Sequence, residues 1–226
     1  MSPEEFAAET GVSRETLDKL RRYEALLLEW RPRVNLVGLS TLPDLWHRHF
    51  LDSAQLLPLL PPGGGLVDLG SGAGFPGAVL AAMEVSNVHL IESDGRKCAF
   101  LDALNETLGL GMTVHRDRIE QMAAWKAPCL TSRALAPLVR LLGWAEAFIG
   151  PETICLFPKG QTVEQELTEA AKQWNMTVEC LPSRTSPTGT VLRLTQVERK
   201  DADRTRRTEI RSPAHHRGGQ PKGRRW

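Results

Sequence analysis

The chain has 226 residues, of which 24% are charged and 41% hydrophobic, and its formal net charge is +1. That is ordinary for a globular protein of one substantial domain with appendages. No stretch reaches the roughly 18 apolar residues of a membrane span. The start, Met1-Ser2-Pro3-Glu4-Glu5, is acidic and lacks the apolar run of a secretory signal, so the expected location is the cytoplasm.

Ser2, Pro3 and Glu5 form a helix start, with Ser2 and Glu5 at capping-box spacing. Ser13 caps a second expected helix that runs to about Trp30. Its Leu17, Leu20, Tyr23, Leu27 and Trp30 recur at steps of three and four and form one apolar face. A third helix is expected over 44–57, before Pro58 and the breaker run Pro61-Pro62-Gly63-Gly64-Gly65. Residues 1–60 therefore read as a small helical cap.

From 66 onward strand-like runs alternate with helical segments. The strands are expected at 66–69, 88–92, 112–115, 129–133, 153–158, 175–181 and 190–197; helices fit 76–84, 95–109, 137–149 and 162–174. The alternation predicts an α/β core over 61–198, a mostly parallel sheet covered on both faces. The short 182–189 connection predicts an antiparallel hairpin at its end. Cys98, Cys129, Cys155 and Cys180 lie 25 or more residues apart without a C-x-x-C, and three of them fall in expected core elements as free thiols.

The last stretch, 199–226, holds ten Lys/Arg against three Asp/Glu. It carries +7 and leaves −6 on the rest. Such a basic, Gly/Pro-containing segment cannot bury a core and is expected to be a flexible tail. It reads either as a solvated solubility segment or as a phosphate-contacting arm. His215-His216 has no further ligands at zinc-like spacing, so no metal site is expected.

The segment Leu66-Val-Asp-Leu-Gly70-Ser-Gly-Ala-Gly-Phe-Pro-Gly77 joins an apolar strand to a glycine-dense turn and a helix start. This order lets a backbone approach an adenosine-type ligand beside a helix N-terminus. Two registers share the letters. Gly72 to Gly77 satisfies the dinucleotide pattern G-x-G-x-x-G, with Glu92 standing 20 residues beyond Gly72. That register leaves Gly70 inside the strand end, where glycine weakens pairing. The other is Asp68-x-Gly70-x-Gly72-x-Gly74, which resembles the first motif of the class I S-adenosylmethionine (SAM) methyltransferases. A tight turn with no ligand is the plain alternative.

Open α/β sheets bind ligands outside the carboxyl ends of their strands. Asp68 and the glycines, Glu92, Asp117 to Glu120, Arg133 and Lys159-Gly160 fall at five successive strand ends. With Glu29-Trp30, Asn35-Leu36, Arg48-His49-Phe50-Leu51-Asp52-Ser53, Arg118-Ile119-Glu120 and Ser132-Arg133-Ala134, the chain over about 20–198 resembles the RsmG/GidB family. These are the bacterial 16S rRNA guanine-N7 methyltransferases. The Arg-His-x-Leu-Asp-Ser stretch ahead of the glycine turn is the specific part.

The resemblance implies a class I Rossmann-like fold and SAM as cofactor, with 16S rRNA or the small ribosomal subunit as partner. It places SAM against Asp68, Gly70, Gly72, Gly74 and Phe75, with Glu92 at the ribose, Ile119 and Glu120 near the adenine, and Arg133 also in the site. Arg133 and Lys159 become candidates for contact with base or phosphate. Asn35 and His49 become candidates for the substrate-side wall. No membrane or metal is implied, and a monomer is expected. The chain departs from the family in Val37, where the family often carries Thr, and in the tail after 198.

Each residue also has a structural reading. Glu92 would cap the next helix, Arg133 and Lys159 would be solvated, and His49 would be a satisfied helix residue. Arg48 and Asp52 would pair at i, i+4, and Glu120 would pair with Arg116 or Arg118. An NAD-dependent oxidoreductase and a non-catalytic RNA-binding assembly factor are the competing functions.

Overall fold

The computed structural model describes residues 1–123 and 125–200. Its strands are β1 (Leu66–Leu69), β2 (Val88–Glu92), β3 (Thr113–Arg116), β4 (Cys129–Thr131), β5 (Ile154–Lys159), β6 (Trp174–Pro182) and β7 (Thr190–Arg199). They form one sheet in the order β3-β2-β1-β4-β5-β7-β6. Strands β1 to β5 are parallel, and β7 runs antiparallel to β5 and β6. The mostly parallel sheet with a closing hairpin is the architecture the alternation predicts.

Strand β1 is buried at all four positions, so both faces need cover. Period-two alternation divides its side chains between two apolar clusters. Leu66 joins a cluster with Leu90 and Ala78, whereas Val67 and Leu69 join one with Leu130, Leu138 and Phe157. The first face is covered by α1 (Pro3–Thr10), α2 (Arg14–Trp30), α4 (Gly77–Ala82) and α5 (Gly95–Leu108), and the second by α6 (Leu138–Ala145) and α7 (Val163–Ala170). The first 60 residues contribute Phe6, Leu20, Tyr23 and Phe50 to the same cluster as the sheet.

The N-terminal helices start as their caps dictate. Ser2 and Glu5 form the reciprocal capping box, and Ser13 accepts from the Thr16 amide. The single helix expected over 44–57 is corrected. The chain makes a 3-10 turn at Leu39–Asp44, a π turn at Trp46–Leu51, a short α3 (Asp52–Ala54) and another 3-10 turn at Leu57–Leu59. Pro43 and Pro58 fall in the two 3-10 turns, where their missing N–H groups interrupt a regular ladder. The wider π turn sends the Asp52 amide to the His47 carbonyl and buries Trp46, His49, Phe50 and Leu51 together.

Three further boundaries shift. Strand β4 stops at Thr131, so Ser132 and Arg133 lie in the loop beyond it. Helix α6 tightens into a 3-10 turn at Glu146–Phe148. Helix α7 ends at Ala170, because Trp174 is buried at the start of β6 with the Arg199 guanidinium 4.3 Å from its ring centre. Cys98, Cys129 and Cys155 are buried free thiols, and burial pushes Cys155 up to about 12. Of the expected tail, Arg199 closes β7 and Lys200 follows it. The rest of that segment, with His215-His216, lies outside the described residues.

Tyr23 links α2 to the glycine turn. Its ring stacks on Phe75 at 5.2 Å, and its buried hydroxyl donates to the Ala73 carbonyl. Gly74 sits at φ +92°, and a Cβ there would come within 2.6 Å of that hydroxyl oxygen. Replacing Tyr23→Phe should leave a buried carbonyl unpaired and cost about 1–3 kcal/mol. Urea unfolding will show this as a lower midpoint with an unchanged slope.

Candidate active site

Chain reversal at the carboxyl ends of β1, β2 and β4 leaves a cleft of about 540 Å³. Strand β1 ends at Leu69 and Gly70 turns at φ +69°. The turn thus begins at Gly70, as the Asp68-x-Gly70 register requires. A Cβ on Gly70 would lie 2.6 Å from Leu135 Cδ1, so this glycine lets the turn pass under the loop after β4. Gly70 and Gly72 line the cleft with Phe75, whereas Gly74 is turned toward Tyr23.

Glu92 ends β2 and is nearly buried. Its Oε2 accepts from the Gly72 amide at 2.9 Å and its Oε1 from the Asp94 amide at 2.8 Å. It does not cap α5; Asp94 does, accepting from the Arg96 amide. Each carboxylate oxygen accepts more than one hydrogen bond, so Glu92 keeps acceptor capacity on the cleft wall. Ile91, Ile119, Leu36 and Val37 supply apolar surface there, and Asp117 and Glu120 add acidic groups.

Asp68 lies beneath the turn and is fully buried. Its Oδ2 accepts from the Gly77 amide at the start of α4 at 3.1 Å, and among the described residues its Oδ1 has no hydrogen-bond partner. Burial raises its carboxyl to about 7, although the Gly77 amide, Ser71 and Arg133 oppose the shift. The residue therefore acts on the turn from behind.

Arg133 is held from several sides. It donates from Nη1 to the Arg48 carbonyl at 3.0 Å and to Asp52 Oδ2 at 3.2 Å, and from Nη2 to His49 Nδ1 at 2.6 Å. Its guanidinium lies 5.1 Å from the centre of the Phe75 ring. Because Arg133 carries only donors, His49 Nδ1 must be the acceptor. Nε2–H then donates to Thr41 Oγ1 at 2.8 Å, and Thr41 donates to the Gly38 carbonyl. Burial, then Arg133 and Arg48, push His49 down to about 3, so the ring is neutral.

The structure thus gathers Gly70, Gly72, Phe75, Glu92, Ile119, Glu120, His49 and Arg133 around one cleft. Lys159 is not on its wall. It donates to Glu166 Oε2 at 2.8 Å and to the Ala136 carbonyl at 3.0 Å, and lines a neighbouring cavity. Asn35 is exposed and does not line the cleft, whereas the adjacent Leu36, Val37 and Gly38 do. Asp52 pairs with Arg133 rather than Arg48. Sequence reasoning missed Leu135, Ser71 and Lys97 on the wall. Ala134, at φ +52° beside Arg133, is an unusual backbone that its residue type gives no sign of.

The cleft suits SAM on its own chemistry: a backbone cradle without Cβ atoms at the turn, a carboxylate with spare acceptor capacity at the end of β2, and apolar walls. Among the described residues there is no group of three metal-ligating side chains, and no helix is long and apolar enough to cross a membrane.

A family model described as rRNA small subunit methyltransferase G matches residues 16–187. The chain is 55% identical over 200 residues to Ribosomal RNA small subunit methyltransferase G of Paramagnetospirillum magneticum, covering 88% of this chain and 98% of that one. It is 57% identical over 194 residues to the protein of the same name from Rhodospirillum centenum, covering 85% and 90%. Among solved structures, a SAM-dependent methyltransferase from Aquifex aeolicus aligns with a TM-score of 0.53 at 15% identity, over 67% of this chain and 93% of that one. At that identity the likeness shows the fold.

The raised carboxyl of Asp68 makes folding stability depend on pH. Unfolded, the group ionises near 3.8; folded, near 7. Its contribution to stability is complete below 3.8, falls as pH rises between the two values, and is gone above about 7. The stability of Asp68→Asn relative to wild type should therefore rise from pH 4 to 7 by up to about 1.4 kcal/mol per pH unit, then level off. A pH-independent gap in urea unfolding would show that Asp68 is already ionised in the folded protein.

Proposed function

The chain belongs to the small-subunit rRNA methyltransferase G family, and on that premise we propose that it transfers the methyl group of SAM to N7 of a guanine in the decoding-region loop of 16S rRNA. The observation that carries this reading is one cleft holding both Glu92, bonded to the glycine turn, and Arg133, clamped onto Phe75. Gly70, Gly72, Phe75, Glu92, Ile119 and Glu120 hold the cofactor. Asp68 and Gly74 brace the turn from beneath. The exposed Asn35 is left to the RNA outside the cleft.

Guanine N7 has a free lone pair and no proton, so its methylation needs no general base. SAM, when bound, would supply a methyl carbon on a sulfonium sulfur, with a neutral thioether as the leaving group. The task of the protein is alignment, worth up to roughly 7–11 kcal/mol in favourable cases. Arg133 is the donor for guanine O6, the atom beside N7, and Arg and Lys are the usual partners of that edge. Neutral His49 serves this role by accepting from Nη2, which fixes the plane of the guanidinium. Lys159 holds the 136–138 loop through its bonds to Ala136 and Glu166.

We place the protein in the cytoplasm as a monomer, with 1–60 as the cap, 61–200 as the catalytic core, which takes in Arg199 at the end of β7, and 201–226 as a phosphate-contacting arm.

The deciding experiment is transfer from radiolabelled SAM to small ribosomal subunits of a strain lacking the modification, with product mapping. Label at one guanine N7 is expected; SAM binding without label on subunits or naked rRNA would remove the substrate assignment. Arg133→Ala should lower kcat/KM by about 100-fold or more while the protein stays folded. Turnover like wild type would take Arg133 out of the site. Deleting 201–226, with its eight Lys/Arg and three Asp/Glu, should weaken RNA binding and flatten its salt dependence while sparing SAM affinity. An unchanged slope of log affinity against log salt would make the segment a bystander.

A further inference from the structure

Beside the cofactor cleft lies a second cavity of about 550 Å³. Arg133, Ala134 and Leu135 line both, so one short loop forms their shared wall. The size lies within the usual range for small-molecule sites. Leu135, Pro137 and Pro158 give it apolar surface, while Asp52 and Lys159 add charge.

Asp52 and Arg133 stand side by side on this wall, Oδ2 to Nη1 at 3.2 Å. Of the five guanidinium N–H groups, three are engaged by Arg48, Asp52 and His49. Donors therefore remain. Asp52 Oδ1 is taken up by Thr185 Oγ1 at 2.6 Å and Gln55 Nε2 at 2.8 Å. Among the described residues Oδ2 meets only Arg133, and it keeps acceptor capacity. A donor next to an acceptor matches the guanine edge, where the O6 acceptor adjoins the N1–H donor. Adenine presents the reverse order, an N6 donor beside an N1 acceptor, and meets a repulsive edge.

We infer that this second cavity seats the flipped target base and that Asp52 is a specificity-determining residue, accepting from guanine N1–H while Arg133 donates to O6. The inference rests on the guanine reading above and deepens it. N7, adjoining O6, then lies toward Arg133 to Leu135, where the two cavities adjoin. The 183–189 loop helps fix the Asp52 carboxylate: Thr185 donates to it directly, and the Arg184 amide donates to Gln55 Oε1 at 2.9 Å.

The test uses small subunits assembled with 16S rRNA that carries 1-deazaguanosine or inosine at the target position. The first lacks the N1–H and keeps the shape; the second keeps N1–H and O6 and lacks only the 2-amino group. For the wild-type protein we expect 1-deazaguanosine to lower kcat/KM by about 10- to 100-fold, the scale of one lost base contact, and inosine to lower it several-fold less. Asp52→Asn should transfer to guanosine more slowly, with SAM affinity unchanged, and should lose nothing further on 1-deazaguanosine. A merely structural role for Asp52 predicts the same analogue penalty in both proteins, and that outcome overturns the inference. So does equal wild-type transfer to guanosine and 1-deazaguanosine, a result that needs no variant. Failure of the wild-type protein to label unmodified subunits at N7 would instead overturn the proposed function.

Discussion

The site depends on where the Arg133 guanidinium is held. It is anchored by groups from two parts of the chain that sequence separates widely: Asp52, His49 and the Arg48 carbonyl from the helical segment, and Phe75 from the glycine turn. Arginine side chains lose considerable rotamer freedom when fixed, so a single partner would not hold one geometry. Four partners do. The Asp52 pair is partly buried, with side-chain exposures of 14% and 18%. Partial desolvation strengthens the attraction but also penalises both charges, so its value lies in geometry more than in stability. The Phe75 face adds a cation–π attraction of about 0.5–2 kcal/mol.

That anchoring explains the aromatic cluster behind it. Phe75 is fixed by Tyr23, stacked at 5.2 Å, and by Phe50, edge-on at 5.5 Å. Phe50 in turn stacks on Trp46 within the π turn. The cap is therefore continuous with the cofactor wall: Tyr23 supports the turn from α2, and the segment that carries His49 and Asp52 grips the arginine. Residues remote from the cleft thus set where Phe75 and Arg133 stand. This fits the proposed N7 transfer, in which alignment rather than proton transfer does most of the work.

Periodicity made the sheet legible, because fully apolar runs alternating with helical segments have few other solutions. The glycine turn and Glu92 were legible for the same local reason: φ > 0 at Gly70 and close approach of Gly72 to a carboxylate restrict the residue type. The site's second half was less so. Asp52 reads as a helix-surface acid facing Arg48 at i, i+4, and its actual partner lies 81 residues away. Nothing local encodes that pairing. Lys159 sits at a strand end as expected, yet Glu166, seven residues on, takes it up and ties it to the 136–138 loop. The wall from Leu36 to Gly38 has no regular structure, so no period marks which side chain faces the cleft.

Two buried ionisable groups show how the site tolerates charge. His49 lies against a guanidinium and stays neutral, which removes the repulsion and leaves its Nδ1 lone pair for Arg133. Asp68 is buried with one oxygen unpaired, and its shift toward neutral pH reduces the cost of leaving that oxygen without a donor. One group is shifted down and the other up, and each shift favours the neutral form beneath the cleft. Glu92 and Arg133, by contrast, line the cleft itself, each held in place by hydrogen bonds. On the proposed reading the cationic cofactor meets the Glu92 carboxylate and the guanine meets the Arg133 donors, and the transfer between them moves no proton.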